Sequence, residues 1–203
     1  MFRLFGRRRN GAQTPQRRLD SYEIRARLLM ERAMNEGSGD PVPTLLGSLE
    51  GADEAIRPTA AQLLGEVAGS VEKAAARREV VQALINALAC PPLLRMIGPG
   101  IAADTRVALR IQAAEALGKY HEQGAVLELT EALRSEFQGV RRAAAWALGE
   151  IGAAEAIEAL SEALPDGDGE ARAAILAALG RIGTAEALDA IEVWKQARSK
   201  GHA

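Results

Sequence analysis

At 203 residues the chain is long enough to bury a core, and with 48% hydrophobic but only 3% aromatic residues that core has to be built from Ala, Leu, Ile and Val. Such a composition favours closely packed helices over sheets, which draw more on aromatic and β-branched side chains. The single cysteine, Cys90, excludes an intramolecular disulfide and any multi-cysteine metal site, and the formal charge of −2 conceals a basic arm joined to an acidic body.

The arm comes first. Residues 1–19 hold Arg3, Arg7, Arg8, Arg9, Arg17 and Arg18 and no acid, and are expected to be disordered. Arg7, Arg8 and Arg9, beside Phe2, Leu4 and Phe5, are candidate contacts for an anionic membrane surface or for RNA. Charges begin at once and no apolar run follows, so no secretory signal is expected. The expected location is cytoplasmic, with a peripheral place at a membrane surface as the alternative. Asp20 then reads as the N-cap of a helix with Ile24, Leu28 and Leu29 on one face, expected to cover the end of the body.

Residues 20–200 read as one repetitive domain. Ile56-Arg-Pro-Thr-Ala-Ala-Gln-Leu-Leu-Gly-Glu-Val is echoed by Leu109-Arg-Ile-Gln-Ala-Ala-Glu-Ala-Leu-Gly-Lys-Tyr. Two closer copies follow, Val140-Arg-Arg-Ala-Ala-Ala-Trp-Ala-Leu-Gly-Glu-Ile-Gly and Ala171-Arg-Ala-Ala-Ile-Leu-Ala-Ala-Leu-Gly-Arg-Ile-Gly. The last three copies are 31 residues apart, a period that signals stacked units. In each unit a first helix carries an apolar stripe, as in Val140, Ala144, Leu148 and Ile151, and a second helix buries residues such as Ile157, Leu160 and Leu164. No helix pair can bury its stripe alone, so the expected fold is an all-α solenoid of antiparallel helix pairs.

Between the first two copies lies an insertion at about residues 90–104, with Leu93, Leu94, Met96 and Ile97 as candidate partner contacts because exposed apolar loops tend to dock something. Arg57, Arg110, Arg141 and Arg172 share one repeat position and predict a ladder between repeats, with Asp53 and Asp168 as ion-pair candidates. Trp146 sits two residues before core Leu148, about 200° around the helix, and is expected to face outward as an interface anchor. Trp194 reads as core at the end of the stack.

The pattern Val-Arg-x-x-Ala-x-x-Ala-Leu-Gly-x-Ile-Gly, followed by Ala-Glu-Ala-Ile-x-Ala-Leu, resembles the HEAT-like repeats of phycobilisome lyases. That resemblance implies a fold more than a function, since such repeats also serve a di-iron hydroxylase, DNA glycosylases and adaptors. The hydroxylase places His-Glu dyads where this chain has Pro58-Thr59, Ile111-Gln112, Arg142-Ala143 and Ala173-Ala174, none able to bind iron. In HEAT-like stacks the second helices line the concave side, and here they present Glu128, Glu131, Glu158, Glu162, Asp189 and Glu192. Such a face repels DNA, whose binding rests on phosphate neutralisation. Glu158 and Glu162 are candidate contacts for a basic partner.

Little else suggests chemistry. The histidines are His121, in a turn, and His202, in the tail; Cys90 reads as a small buried filler, and no Walker-type phosphate loop is present. The expected function is therefore a non-catalytic scaffold or assembly factor that binds a protein partner, as a subunit of a larger assembly, with no cofactor. The alternatives are a bilin-lyase-like, chromophore-handling protein and an adaptor tethered to a membrane surface or RNA by the arginine arm.

Overall fold

Helix-forming segments end where the chain supplies a stop, and the repeat places those stops regularly. In the computed structural model residues 21–35, 40–68, 74–91, 94–98, 101–104, 106–165 and 169–200 are described. The helices are α1 (Ser21–Asn35), α2 (Val42–Glu50), α3 (Arg57–Glu66), α4 (Ala74–Leu88), α5 (Val107–Lys119), α6 (Val126–Ala132), α7 (Gln138–Ile151), α8 (Ile157–Ala163), α9 (Gly169–Ile182) and α10 (Ala185–Lys200). Gly152 and Gly183 close α7 and α9 in the left-handed conformation, at φ 72° and 66°, and their N–H groups return to Leu148 and Leu179 carbonyls. His121 holds the same repeat position after α5 and takes φ 49°, which its Nδ1 contact with the Glu150 carbonyl oxygen at 2.7 Å helps to hold.

The first helices α3, α5, α7 and α9 form one continuous layer, and their spacing is set by the glycine of each Leu-Gly mark. A Cβ built on Gly65 would stand 2.9 Å from the Ala116 Cβ; one on Gly118 would stand 2.9 Å from the Ala147 Cα; one on Gly149 would stand 2.7 Å from the Ala178 Cα. Each alanine immediately precedes the Leu-Gly of its own helix. Ala-Leu-Gly therefore works as a joint, with its alanine seated on the glycine before it and its glycine receiving the alanine after it. Leu64, Leu117, Leu148 and Leu179 point into the core and are fully buried.

The second helices are tied to the following first helices by the repeated arginine. Arg57 Nε donates to the Gly51 carbonyl at 2.9 Å, Arg110 Nε to Leu88 at 3.1 Å and Arg172 Nε to Leu164 at 3.3 Å; Arg141 Nη1 donates to Ser135 at 2.7 Å and Glu136 at 2.9 Å. The Gly51, Leu88 and Leu164 carbonyls lie at the C-terminal ends of α2, α4 and α8, where helices leave acceptors unsatisfied and carry partial negative charge, while Ser135 and Glu136 lie in the turn that follows α6. The expected ladder is present, but it runs from guanidinium to helix end. Asp53 does not pair with Arg57; it accepts from the Ala55 N–H at 3.0 Å, a local turn being closer than the arginine four residues on. Asp168 lies outside the described residues.

Two further expectations change. Helix α1 covers α2 and α3 through Leu29 and Ala33, while Ile24 and Leu28 are 46% and 59% exposed. The buried stripe runs one position round from the predicted one, because Leu29 and Ala33 are four apart and Leu28 falls 100° away. The insertion is an antiparallel hairpin of β1 (Leu94–Gly98) and β2 (Ile101–Asp104), with Leu94 opposite Asp104 and a register shift between Met96 and Gly98. Gly98-Pro-Gly in the sequence between the two strands and Pro91-Pro after α4 are signals of a hairpin and of a helix stop that the expectation of a loop did not use. Residues 1–19 and Asp20 lie outside the described residues.

Tyr120 pins the end of α5 to α3 and α4. Its ring is buried, its hydroxyl donates to the Leu64 carbonyl at 3.1 Å, and the Arg77 guanidinium lies 5.4 Å from the ring centre. Burial pushes its pKa up to about 12, with the Arg77 charge opposing. An unfolded tyrosine titrates near 10, so the contribution of the neutral phenol is complete below about pH 10 and is lost as pH climbs toward 12. The urea midpoint is expected to fall more steeply between pH 10 and 12 in the wild type than in Tyr120→Phe. Gly118→Val pushes a side chain onto the Ala147 backbone and is expected to cost about 1–3 kcal/mol, read as a lower urea midpoint with an unchanged slope.

Candidate functional site

Because the first helices approach so closely, a bulky side chain on their outer side can reach across to the neighbouring helix. Trp146 of α7 does this. Its ring lies against Gly118 of α5, where a Cβ would come within 2.8 Å of Cζ3, and it is half-buried. It forms the floor of a groove of about 600 Å³ that also takes in Glu115 and Lys119 of α5, Arg142 of α7, and Glu170, Ala173 and Ala174 of α9. The outward direction read from helical spacing is right, but the ring is folded back over the glycine joint and offers a face rather than a tip. Ala174 and Ala173, where α7 has Ala143 and Arg142, keep the α9 side of the groove low.

Two cations and two carboxylates therefore surround one aromatic face. No carboxylate among the described residues comes within ion-pair distance of Lys119 or Arg142, whereas Arg181 of α9 is held by Glu150 at 3.1 Å and Arg77 by Glu122 at 3.9 Å. The groove can hold a flat conjugated body against Trp146 and negative groups against its two cations.

The opposite side of the stack is built differently. The second helices meet one another less closely and leave two grooves, one of about 560 Å³ between α6, α8 and α9 and one of about 340 Å³ between α4 and α6. Glu158 and Glu162 are both exposed on this side, as are Asp189 and Glu192. Glu162 lies 3.4 Å from Arg134, so its charge is partly answered by the previous repeat. Arg141 and Arg110 form the floors of these grooves while donating to helix ends, so they are structural cations first.

Leu93 lies outside the described residues; Leu94, Met96 and Ile97 are on β1, where the backbone alone is described. Arg7, Arg8 and Arg9 lie outside the described residues. Trp194 is half-buried at the end of the stack between the guanidinium groups of Arg172 and Arg198, at 5.9 and 5.5 Å from its ring. Cys90 is half-buried and its Sγ faces the Pro91 carbonyl at 3.8 Å. No helix among the described residues is long and apolar enough to cross a membrane. Sequence reasoning missed Lys119 and Arg142 as groove residues; their signal was available, since both fall on the outer side of first helices within one turn of the Trp146 level.

Comparison with known proteins gives this geometry a context. A family model described as HEAT repeats matches residues 94–180 and 126–196. The alpha subunit of phycocyanobilin lyase from Thermosynechococcus vestitus is 39% identical over 102 residues, 50% of this chain and 34% of that protein. A chain of the CpcE–CpcF complex of phycocyanin lyase from Nostoc sp. PCC7120 superposes with a TM-score of 0.61 at 29% identity, covering 77% of this chain and 59% of the other. An engineered protein, 24% identical with a TM-score of 0.53 over 75% of this chain and 67% of its own, shares the fold. The chain thus spans about a third of the curated relative's length. The likeness to two lyase subunits overturns the expectation that the chain is not an enzyme.

The two adjacent arginines of α7 separate structure from site. Arg141→Ala removes charge-assisted hydrogen bonds to two carbonyls and is expected to cost about 1.5–3 kcal/mol in urea unfolding. Arg142→Ala, at an exposed position on the groove, is expected to stay within about 0.5 kcal/mol of wild type.

Proposed function

The chain belongs to the HEAT repeat family, and from that premise we propose that it is a subunit of a bilin lyase, holding an open-chain tetrapyrrole for attachment in company with a second HEAT-repeat subunit. The observation that carries this reading is the 39% identity to a phycocyanobilin lyase subunit over half of this chain. The scaffold role expected from the repeat and the lack of catalytic motifs becomes part of the same reading, as a subunit within an assembly.

The Trp146 groove supports the reading chemically. A bilin is a flat conjugated body with two carboxylate arms, and the groove offers one aromatic face beside Lys119 and Arg142. Stacking on Trp146 holds the conjugated system, and the two cations take the carboxylates in charge-assisted hydrogen bonds. Glu115 and Glu170 accept from pyrrole N–H groups along the rim. A volume of about 600 Å³ lies within the range of ligand sites, roughly 300–1,000 Å³. Rigid first helices fix these groups relative to one another, so the contribution of this chain is orientation of the pigment toward its acceptor.

Phycocyanobilin titrated into the full chain, carrying Trp194→Phe so that Trp146 is the only reporter, is expected to quench tryptophan emission saturably. Trp146→Ala, followed by the pigment's visible absorption, is expected to weaken binding about tenfold, which corresponds to about 1.4 kcal/mol. Joint loss of Lys119 and Arg142 to Ala is expected to weaken it further. Absence of pigment binding by the chain, alone and with a co-produced second lyase subunit, sinks the proposal.

A further inference from the structure

Charge on the second-helix side is not evenly answered. Glu162 meets Arg134 at 3.4 Å, but Glu128, Glu131 and Glu136, which line the groove of about 340 Å³ between α4 and α6, have no described cation within ion-pair distance. The arginines of that groove are committed elsewhere: Arg110 Nε donates to the Leu88 carbonyl, and Arg134 reaches across to Glu162. Glu128 Oε2 is closed off from water and finds no hydrogen-bond partner among the described residues. Buried polar atoms are nearly always hydrogen-bonded, so this oxygen calls for a donor that the described residues do not supply. Phe137, half-buried, adds an aromatic wall. Carboxylates beside an aromatic ring fit a guanidinium, whose planar fork of N–H donors pairs with the first and whose face stacks on the second.

The chain carries such groups itself. Residues 1–19 hold six arginines and no acid, and all 27 acidic residues follow them. The groove lies at the C-terminal ends of α4 and α6, and α1 starts at the same edge of the stack. There Arg25 Nη1 donates to the Ala55 carbonyl in the turn between α2 and α3; the adjacent Glu54 lies 3.5 Å from Arg106, and Arg110, one helical turn on, lines the groove. Arg9 stands twelve positions before Ser21, and a stretch of that length extends to at most about 40 Å. Two helix-to-helix steps, from α2 to α4 and from α4 to α6, cover roughly 20 Å.

We propose that the groove between α4 and α6 is the docking site of this chain's own arginine arm, with a guanidinium of the Arg7-Arg8-Arg9 run set against Glu128 and Phe137 and its neighbours on Glu131 and Glu136. Charge complementarity and reach identify the occupant. Tethering reinforces both, since a segment joined to the body meets the groove at an effective concentration on the order of millimolar, above that of an untethered basic peptide in dilute solution. Docking on the second-helix side leaves the Trp146 groove, on the outer side, uncovered. The contact therefore stands or falls apart from pigment binding.

The test uses the full chain with Cys90→Ser and Asn10→Cys, a nitroxide attached at position 10, and the two-dimensional amide spectrum of the isotope-labelled protein. Amide peaks of Leu88, Ala89 and Ser135 to Phe137 are expected to broaden beyond detection. Isotope-labelled protein without nitroxide, mixed with nitroxide-bearing protein without isotope, is expected to keep those peaks sharp, which places the contact within one chain. Glu128→Gln with Glu131→Gln and Glu136→Gln is expected to restore the peaks while helical content is retained. Arg7→Glu with Arg8→Glu and Arg9→Glu leaves the body untouched and is expected to restore them too, so the proposal stays testable if the groove variant does not fold. Broadening centred on Trp146 or on any other face, broadening passed between molecules, no broadening, or broadening that survives either set of substitutions would overturn the docking site.

Discussion

A backbone-to-backbone approach governs this molecule: glycine of one first helix against alanine of the next, at separations that leave no room for a Cβ. Helix–helix distance is normally set by the side chains between the axes, roughly 8–10 Å apart. Removing them at one recurring level lets the first helices close into a layer whose spacing hardly depends on neighbouring residue choice. The buried leucine between alanine and glycine then reaches the shared core from the same height in every repeat. That is why a core with so few aromatics suffices: close approach replaces bulk.

Close approach also dictates where function can sit. On the outer side of the tight layer of first helices Trp146 lies across the joint at Gly118 and lines a groove. The second helices, spaced more widely and held by arginines at their carbonyl ends, leave grooves lined by acids and structural cations. The two sides therefore offer different chemistry, aromatic and cationic on one and mixed-charge on the other. The repeat motif itself carried the likeness to lyase subunits, whereas the lack of nucleophile–base pairs and metal ligands led to the non-catalytic expectation that this likeness overturns. A subunit that acts by binding and orienting a large ligand needs no residue that is unusual in isolation.

The ends of the stack differ for a reason rooted in the same contact. Replacing alanine by leucine in α3 turns a stacking helix into a terminal one, and α1 covers it through Leu29 and Ala33. At the other end the internal residue types persist, so Gly180 and Leu188 remain exposed in positions that are buried one repeat earlier.

The sequence by itself determined the fold class, the 31-residue period, the two-helix unit and most of the core, because burial in stacked helix pairs imposes a periodicity that survives in residue type. Val140, Ala144, Leu148 and Ile151 are buried as their spacing requires, and Leu160 and Leu164 likewise. It also pointed to the arginine ladder and to the outer side of α7 for Trp146. Tertiary structure alone decided what those residues touch. Arg57 chose a helix-end carbonyl over Asp53, α1 turned Leu28 outward, and the indole of Trp146 lay back across Gly118 in a groove lined also by Lys119 from one neighbouring helix and Ala173 from the other. Local spacing fixes the direction in which a side chain leaves its own helix; the partner it finds depends on how near the next helix stands, and here a glycine in a different repeat sets that distance.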